Sequence, residues 1–193
     1  MHYYMFNKPY GCVSARTDDT YTTVMDYFKE LNNPDLSPVG RLDRETEGLL
    51  LITDDGKFNQ KLTHPGFAKE KKYEFIALGE LNEDKITKLE KGVMLIGATE
   101  LTAPSKIYVT NTSQLADVLP TLPLEIQKKT KHNRKNHPVV FGCITVTEGK
   151  KHQVRRMLKT VGCCIIYLKR ISMGEFFLDP SLKPGEWKEL NLD

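Results

Sequence analysis

GRLDRETEGLLLITDDG, residues 40–56, is the densest stretch of this chain: a charged run bracketed by Gly40 and Gly48 leads straight into the apolar Leu49–Ile52. Four consecutive apolar residues without polar alternation predict a strand buried on both faces, and therefore a central one. The charged run ahead of it is then a loop held by that strand, with Asp43 upon it, the kind of placement that carries function. Judged by charge alone, Arg41, Asp43, Arg44, Glu45 and Glu47 also fit a solvated loop whose surface ion pairs contribute little.

Outward from this stretch, short apolar runs rich in β-branched and aromatic residues alternate with a few helical ones, an α+β pattern. Strands are predicted at Tyr3–Asn7, Leu49–Thr53, Lys72–Leu78, Lys106–Thr110, Val139–Thr147, Cys163–Ile171 and Trp187–Leu190. Tyr73, Phe75 and Ala77 share one face of theirs at period two. Helices are predicted at Thr22–Leu31, at Glu83–Val93 behind the cap Asn82, and at Lys151–Val161. In the last, Val154, Met157, Leu158 and Val161 form the buried stripe and Gly162 the stop, with Arg155 at the edge of the stripe and Arg156 pointing away.

The 193 residues, 39% apolar and 27% charged, suffice for a buried core and for one domain or two joined lobes. No apolar run approaches the ~18–20 residues of a membrane span. The start, MHYYMFNKPYG, lacks the charged and apolar parts of a secretion signal, so the expected location is cytoplasmic. Cys12, Cys143, Cys163 and Cys164 show no spacing of a zinc site and read as reduced thiols. The net charge of +3 says little, but its distribution says more. KKTKHNRKNHP at 128–138 holds five Lys/Arg and two His with no acid. Lys150, Lys151, Arg155, Arg156 and Lys159 follow, against Glu148. The first cluster fits a solvated loop or a phosphate contact equally.

GRLDRETEGLLLITDDG resembles the signature of the bacterial ribosomal RNA pseudouridine synthases that act on single uridines. FNKPYG at 6–11 looks like that family's opening strand and turn, KKYEF at 71–75 like its tyrosine motif, and EGKKHQVRRM at 148–157 like its arginine motif, in the family's order. KRISMGEFFL at 169–178 and GEW at 185–187 look like its closing strands. The chain departs at Glu47, where many relatives carry a small hydroxyl residue, and at Asp54, where they carry Asn. Many relatives also have a small S4-like RNA-binding module ahead of the catalytic domain. With FNKPYG at residue 6, the chain is similar to the short members without it, and target recognition is expected of the catalytic domain itself.

The resemblance implies the pseudouridine synthase fold as a single catalytic domain over 1–193. Its mostly antiparallel mixed sheet is expected in two lobes, roughly 1–63 and 64–193, with helices packed on it and a catalytic cleft between. It implies that the N1–C1′ bond of a uridine is broken and the base rejoined through C5. Asp43 maps onto the family's aspartate, acting either as a nucleophile at C1′ or as a base at C2′. An ionised carboxylate in a dry pocket requires a cation, because desolvation alone favours the neutral acid. Arg155 matches the arginine that supplies one, and a guanidinium stays charged under burial. Tyr73 matches the tyrosine expected to stack on the uracil and assist removal of the C5 proton; a plain cross-strand core role also fits it.

A uridine within a helix must be extruded to meet Asp43. Arg41 matches a residue that fills the gap left behind, though a phosphate contact or an ion pair also fits it. Arg44, Lys150, Lys151, Gln153, Arg156 and the 128–138 segment are the expected RNA contacts. No metal or organic cofactor is implied, because uracil itself is leaving group and then nucleophile. Two other readings remain open. One is a glycoside hydrolase with Asp43 and Glu45 or Glu47 as its carboxylate pair, which leaves EGKKHQVRRM without a role; the other is a non-catalytic rRNA-binding assembly factor. The expected partner is ribosomal RNA, large-subunit (23S) first and small-subunit or tRNA next, with the protein a monomer and away from membranes.

Overall fold

The computed structural model describes residues 1–130 and 136–192. Lys131, His132, Asn133, Arg134 and Lys135 of the basic 128–138 segment lie outside the described residues. In chain order the strands are β1 (Tyr3–Lys8), β2 (Ser37–Pro38), β3 (Glu47–Thr53), β4 (Lys71–Leu78), β5 (Lys106–Gln114), β6 (Pro138–Val146), β7 (Cys164–Met173), β8 (Phe176–Phe177) and β9 (Trp187–Glu189). The α-helices are α1 (Gly56–Thr63), α2 (Glu83–Lys91), α3 (Leu115–Val118), α4 (Leu124–Lys129) and α5 (Gln153–Thr160). β3 and β7 pair in parallel, whereas β1–β3, β1–β9, β2–β3, β5–β6 and β7–β8 pair antiparallel. The architecture is the expected α+β one, a mixed and mostly antiparallel sheet with helices.

The chain divides into two compact units, Met1–Lys71 with Lys169–Asp193, and Lys72–Leu168. A division at 63/64 expected from sequence leaves the closing strands in the second lobe, yet they return to the first. The reason is pairing: Trp187–Glu189 lies against Tyr4–Phe6, and Lys169 and Arg170 lie beside Glu47 and Gly48.

In the first unit the strand order is β9, β1, β3, β7. β3 is buried along all seven residues. Period-two alternation sends Met5 and its partner Leu51 into a core with Val39, Leu49, Leu62, Met173 and Phe176. Tyr4 and Phe6 face the other way, onto Phe28 and Trp187, whose rings stack 5.3 Å apart. Two covered faces explain the unbroken apolar run Leu49–Ile52. The helix predicted at Thr22–Leu31 is a tighter 3-10 helix, Val24–Leu31, capped by a reciprocal Thr23–Asp26 pair. Val24 and Phe28 are its buried contacts, as their spacing requires.

In the second unit the order is β5, β6, β4, β7. Phe75 and Ala77 of β4, Ile144 and Val146 of β6, and Val154, Met157, Leu158 and Val161 form one core. Each of these buried side chains other than Ala77 contributes about 1.5–3 kcal/mol of transfer free energy. Asn82 caps α2 by accepting from the Lys85 amide at 2.9 Å. β5 runs four residues beyond the predicted Thr110, past a bulge between Val109 and Asn111. It ends the strand order and is largely exposed, so it shows little apolar alternation by which to read its length. Among the described residues no helix is long and apolar enough to cross a membrane.

Candidate active site

In the first unit the loop 39–46 leads into β3, and its exposure alternates: Arg41 and Asp43 are exposed while Leu42 between them is buried. Leu42 is clamped from both sides by one hydroxyl. Its amide donates to Ser14 Oγ at 3.0 Å, and the same hydroxyl donates to the Leu42 carbonyl at 2.8 Å. Ser14 is itself buried, so the pair is shielded from competing water. The Thr46 amide closes the turn on the Asp43 carbonyl at 3.0 Å, and the Gly11 amide donates to the Arg44 carbonyl at 2.8 Å. Asp43 is therefore presented outward from a backbone held on both flanks.

Beneath the loop lies Lys8, at the end of β1 and fully buried. Its ammonium donates to the carbonyls of Thr46 at 2.8 Å, Pro9 at 3.0 Å and Arg44 at 3.3 Å, matching all three of its N–H groups. Burial lowers its pKa from the ordinary 10.5 to about 8, opposed by the nearby charges of Cys12, Glu47 and Asp43. Glu47 is buried as well. Lys8 thus couples the loop geometry to the local electrostatics.

Glycine brackets the loop for steric reasons. Gly48 has φ +105°, and a Cβ there would lie 2.1 Å from the Arg170 carbonyl oxygen. Gly40 has φ +69°, the left-handed region. Arg170, buried, ties β7 to β3 by donating from Nε to the Leu49 carbonyl at 2.9 Å. Arg44 packs its guanidinium over the Tyr21 ring, 4.7 Å from the centroid, and lies 3.6 Å from Glu45.

Tyr73, Arg155 and the remaining expected contacts belong to the second unit. Tyr73, on β4, is half-buried and packs against the core. Arg155, on α5, is half-buried beside the buried stripe, and its Nη1 donates to the Ile165 carbonyl at 3.3 Å. The turn ahead of α5 is organised by Glu148. Its Oε2 accepts from the Ala103 amide at 3.0 Å and from Gln153 Nε2 at 2.7 Å, and its Oε1 lies 3.2 Å from the Lys150 ammonium. Those hydrogen bonds, with the Lys150 pair, hold the Glu148 carboxyl below its usual range against the opposing effect of burial, the largest single influence.

Two side chains have partners here that their position on the helix does not announce. Gln153 is buried, and its amide oxygen accepts from the Lys150 amide at 3.0 Å, so it supports the turn from within. Arg156 is half-buried and donates to the carbonyls of Ile96 at 2.6 Å and Lys151 at 3.3 Å, where helical geometry alone sends it outward. Lys150 and Lys151 are exposed as expected. Lys8, Ser14 and Tyr21 were not anticipated. Lys8 carries a signal in retrospect, since a lysine in register with Tyr4 and Phe6 faces a covered side of the sheet.

Residues 2–160 match the family model described as RNA pseudouridylate synthase. The chain is 38% identical over 189 residues to an RNA pseudouridine synthase of Bacillus subtilis, YtzG, covering 97% of this chain and 69% of that one. It is 36% identical over 189 residues to ribosomal large subunit pseudouridine synthase E of Vibrio parahaemolyticus, covering 97% and 73%. To ribosomal small subunit pseudouridine synthase A of Pseudomonas aeruginosa it is 33% identical over 193 residues, covering 99% and 71%. A crystal structure of a pseudouridylate synthase superposes with a TM-score of 0.79 at 30% identity, over 98% of this chain and 70% of that one.

Proposed function

This chain belongs to the RNA pseudouridylate synthase family, and from that membership we propose that it isomerises one uridine of large-subunit ribosomal RNA, with Asp43 acting on the nucleoside sugar. Enzymes of this family are isomerases. The observation that carries the assignment of Asp43 is its presentation on an exposed turn whose flanking backbone is clamped by Ser14 and Lys8. Preorganisation of this kind places a carboxylate for attack without a further ordering cost.

The proposed sequence of events begins with extrusion of the uridine, at a cost of a few kcal/mol of unstacking. Asp43 then either bonds to C1′, releasing N1, or removes the C2′ proton to give a glycal. The freed uracil turns about its ring and rejoins C1′ through C5; in the first route this displaces the Asp43 carboxylate from C1′, and in the second Asp43 returns its proton to C2′ of the glycal. The C5 proton leaves and N1 gains one, so no atom is lost overall. Tyr73 stacks against the base and assists removal of the C5 proton, and Arg155 is the cation that keeps the attacking carboxylate ionised. Arg41 fills the gap in the RNA stack. Arg44, Lys150 and Lys151 hold the backbone, and Arg156 orders the approach to them through the Ile96 and Lys151 carbonyls. Uracil serves as leaving group and then as nucleophile, so the scheme calls for no cofactor.

Large-subunit RNA is placed first because the relative named for that subunit is 36% identical to this chain, against 33% for the small-subunit relative described above. Pseudouridine mapping in total RNA tests the whole reading. Deleting the gene removes one site, wild-type protein restores it and Asp43→Asn does not, while Asp43→Asn still binds the RNA. A missing site in small-subunit RNA moves the substrate; no missing site, or restoration by Asp43→Asn, abandons the reading.

A further inference from the structure

We propose that Tyr21, backed by the Arg44 guanidinium, is a stacking platform for the RNA base that flanks the target uridine. The assignment rests on the isomerase reading above and adds to it a recognition element. Tyr21 is 45% exposed although its ring is aromatic and rigid, and one side of the ring takes the Arg44 guanidinium at 4.7 Å. The position of the ring is built. Its own amide donates to Asp18 Oδ1 at 2.7 Å, with the Thr20 amide on the same oxygen at 2.8 Å. The next residue is pinned by the Val13 amide donating to the Thr22 carbonyl at 3.0 Å. From the other side, the Arg44 carbonyl is held by Gly11 and Lys8. An exposed aromatic ring between two anchored segments is a surface awaiting a flat partner.

The partner is set by chemistry and by place. The ring is held by Arg44, the residue directly after Asp43, whose Cα lies ~3.8 Å from that of Asp43. Extruding a uridine uncovers the faces of its neighbouring bases, and a base–aromatic stack replaces the lost contact whatever the base's identity. The Asp18 carboxylate, held against the Tyr21 amide at 2.7 Å, repels phosphate, which favours the base over the backbone as the group received there. The guanidinium behind the ring polarises it and supplies a positive charge for the adjoining backbone.

The test uses in vitro transcribed, unmodified large-subunit rRNA with the full-length chain. Tyr21→Ala is expected to raise Kd roughly 5- to 100-fold, the range of one lost stack, and the loss falls on KM more than on kcat. Tyr21→Phe retains affinity, because stacking needs the ring and not the hydroxyl, whereas Tyr21→Leu loses it. In Tyr21→Trp, the added indole emission quenches when the transcript binds. Thermal melting of each variant separates a loss of binding from a loss of fold. Wild-type affinity in folded Tyr21→Ala or Tyr21→Leu, or unquenched emission at saturating RNA, overturns the platform. Binding of wild-type protein without any pseudouridine formed in either large- or small-subunit transcript overturns the isomerase reading instead, while the Kd comparison still decides the platform.

Discussion

In the proposed reaction Asp43 works only as a carboxylate, and Arg155 and Lys8 are assigned by what they do to that charge or to the turn that carries it. Arg155→Lys keeps a positive charge but removes the planar fork, which lysine does not reproduce. Single-turnover pseudouridine formation is expected to fall on the order of 100-fold, the usual effect of removing one preorganised donor; full activity in that variant withdraws the role from Arg155. Lys8 makes a different prediction. With a folded pKa of about 8 against the ordinary 10.5, native and unfolded chains are both protonated below pH 8. Between the two values the unfolded chain holds more protons, so the contribution of Lys8 to stability rises with pH and is complete above 10.5. The rise is on the order of 3 kcal/mol. Urea unfolding of wild type against Lys8→Met at pH 7 and pH 10 reads it directly. A flat difference means that the three carbonyl acceptors keep the ammonium charged throughout.

At the scale of elements, the loop is as precise as the strands that frame it. β3 and β7 run in parallel at Glu47↔Lys169 and Gly48↔Arg170, and that approach needs the missing side chain of Gly48. Gly48→Ala places a methyl 2.1 Å from the Arg170 carbonyl oxygen at φ +105°. Strain and overpacking together cost on the order of 3 kcal/mol. That lowers the melting temperature by roughly 6–12 °C for a chain of this size, as calorimetry would show; an unchanged melt means that β7 yields without cost. α5 illustrates how far local pattern reaches. Val154, Met157, Leu158 and Val161 are buried as their spacing demands. Arg156 is caught by the Ile96 carbonyl, 60 positions earlier in the chain, a contact that no helical wheel contains. α3 and α4, of four and six residues, are too short to write a 3.6-residue period. α1 buries Leu62 alone, although Asp55 marks its start by accepting from the Lys57 and Phe58 amides.

Across the whole molecule, the division of labour between sequence and tertiary structure follows the range of the forces. The α+β class, the central strand Leu49–Ile52, the stripe of α5, the exposed Lys150 and Lys151, and the four motifs that mark the family are all written in the sequence. Each depends on near neighbours through side-chain period and capping, or on residue type and order. What only the tertiary structure decided depends on partners distant in sequence. Lys8 reaches carbonyls 36 and 38 positions away, Ser14 holds Leu42 across 28, and Lys169 and Arg170 return to pair with β3 and Trp187–Glu189 with β1. Gln153 turned inward and Tyr21 set beside Arg44 belong to the same class. Periodicity records which side of an element is buried, because hydrophobic burial is non-directional and acts on faces. It does not record which donor meets which acceptor, because a hydrogen bond depends on direction and distance that exist only once the chain has folded.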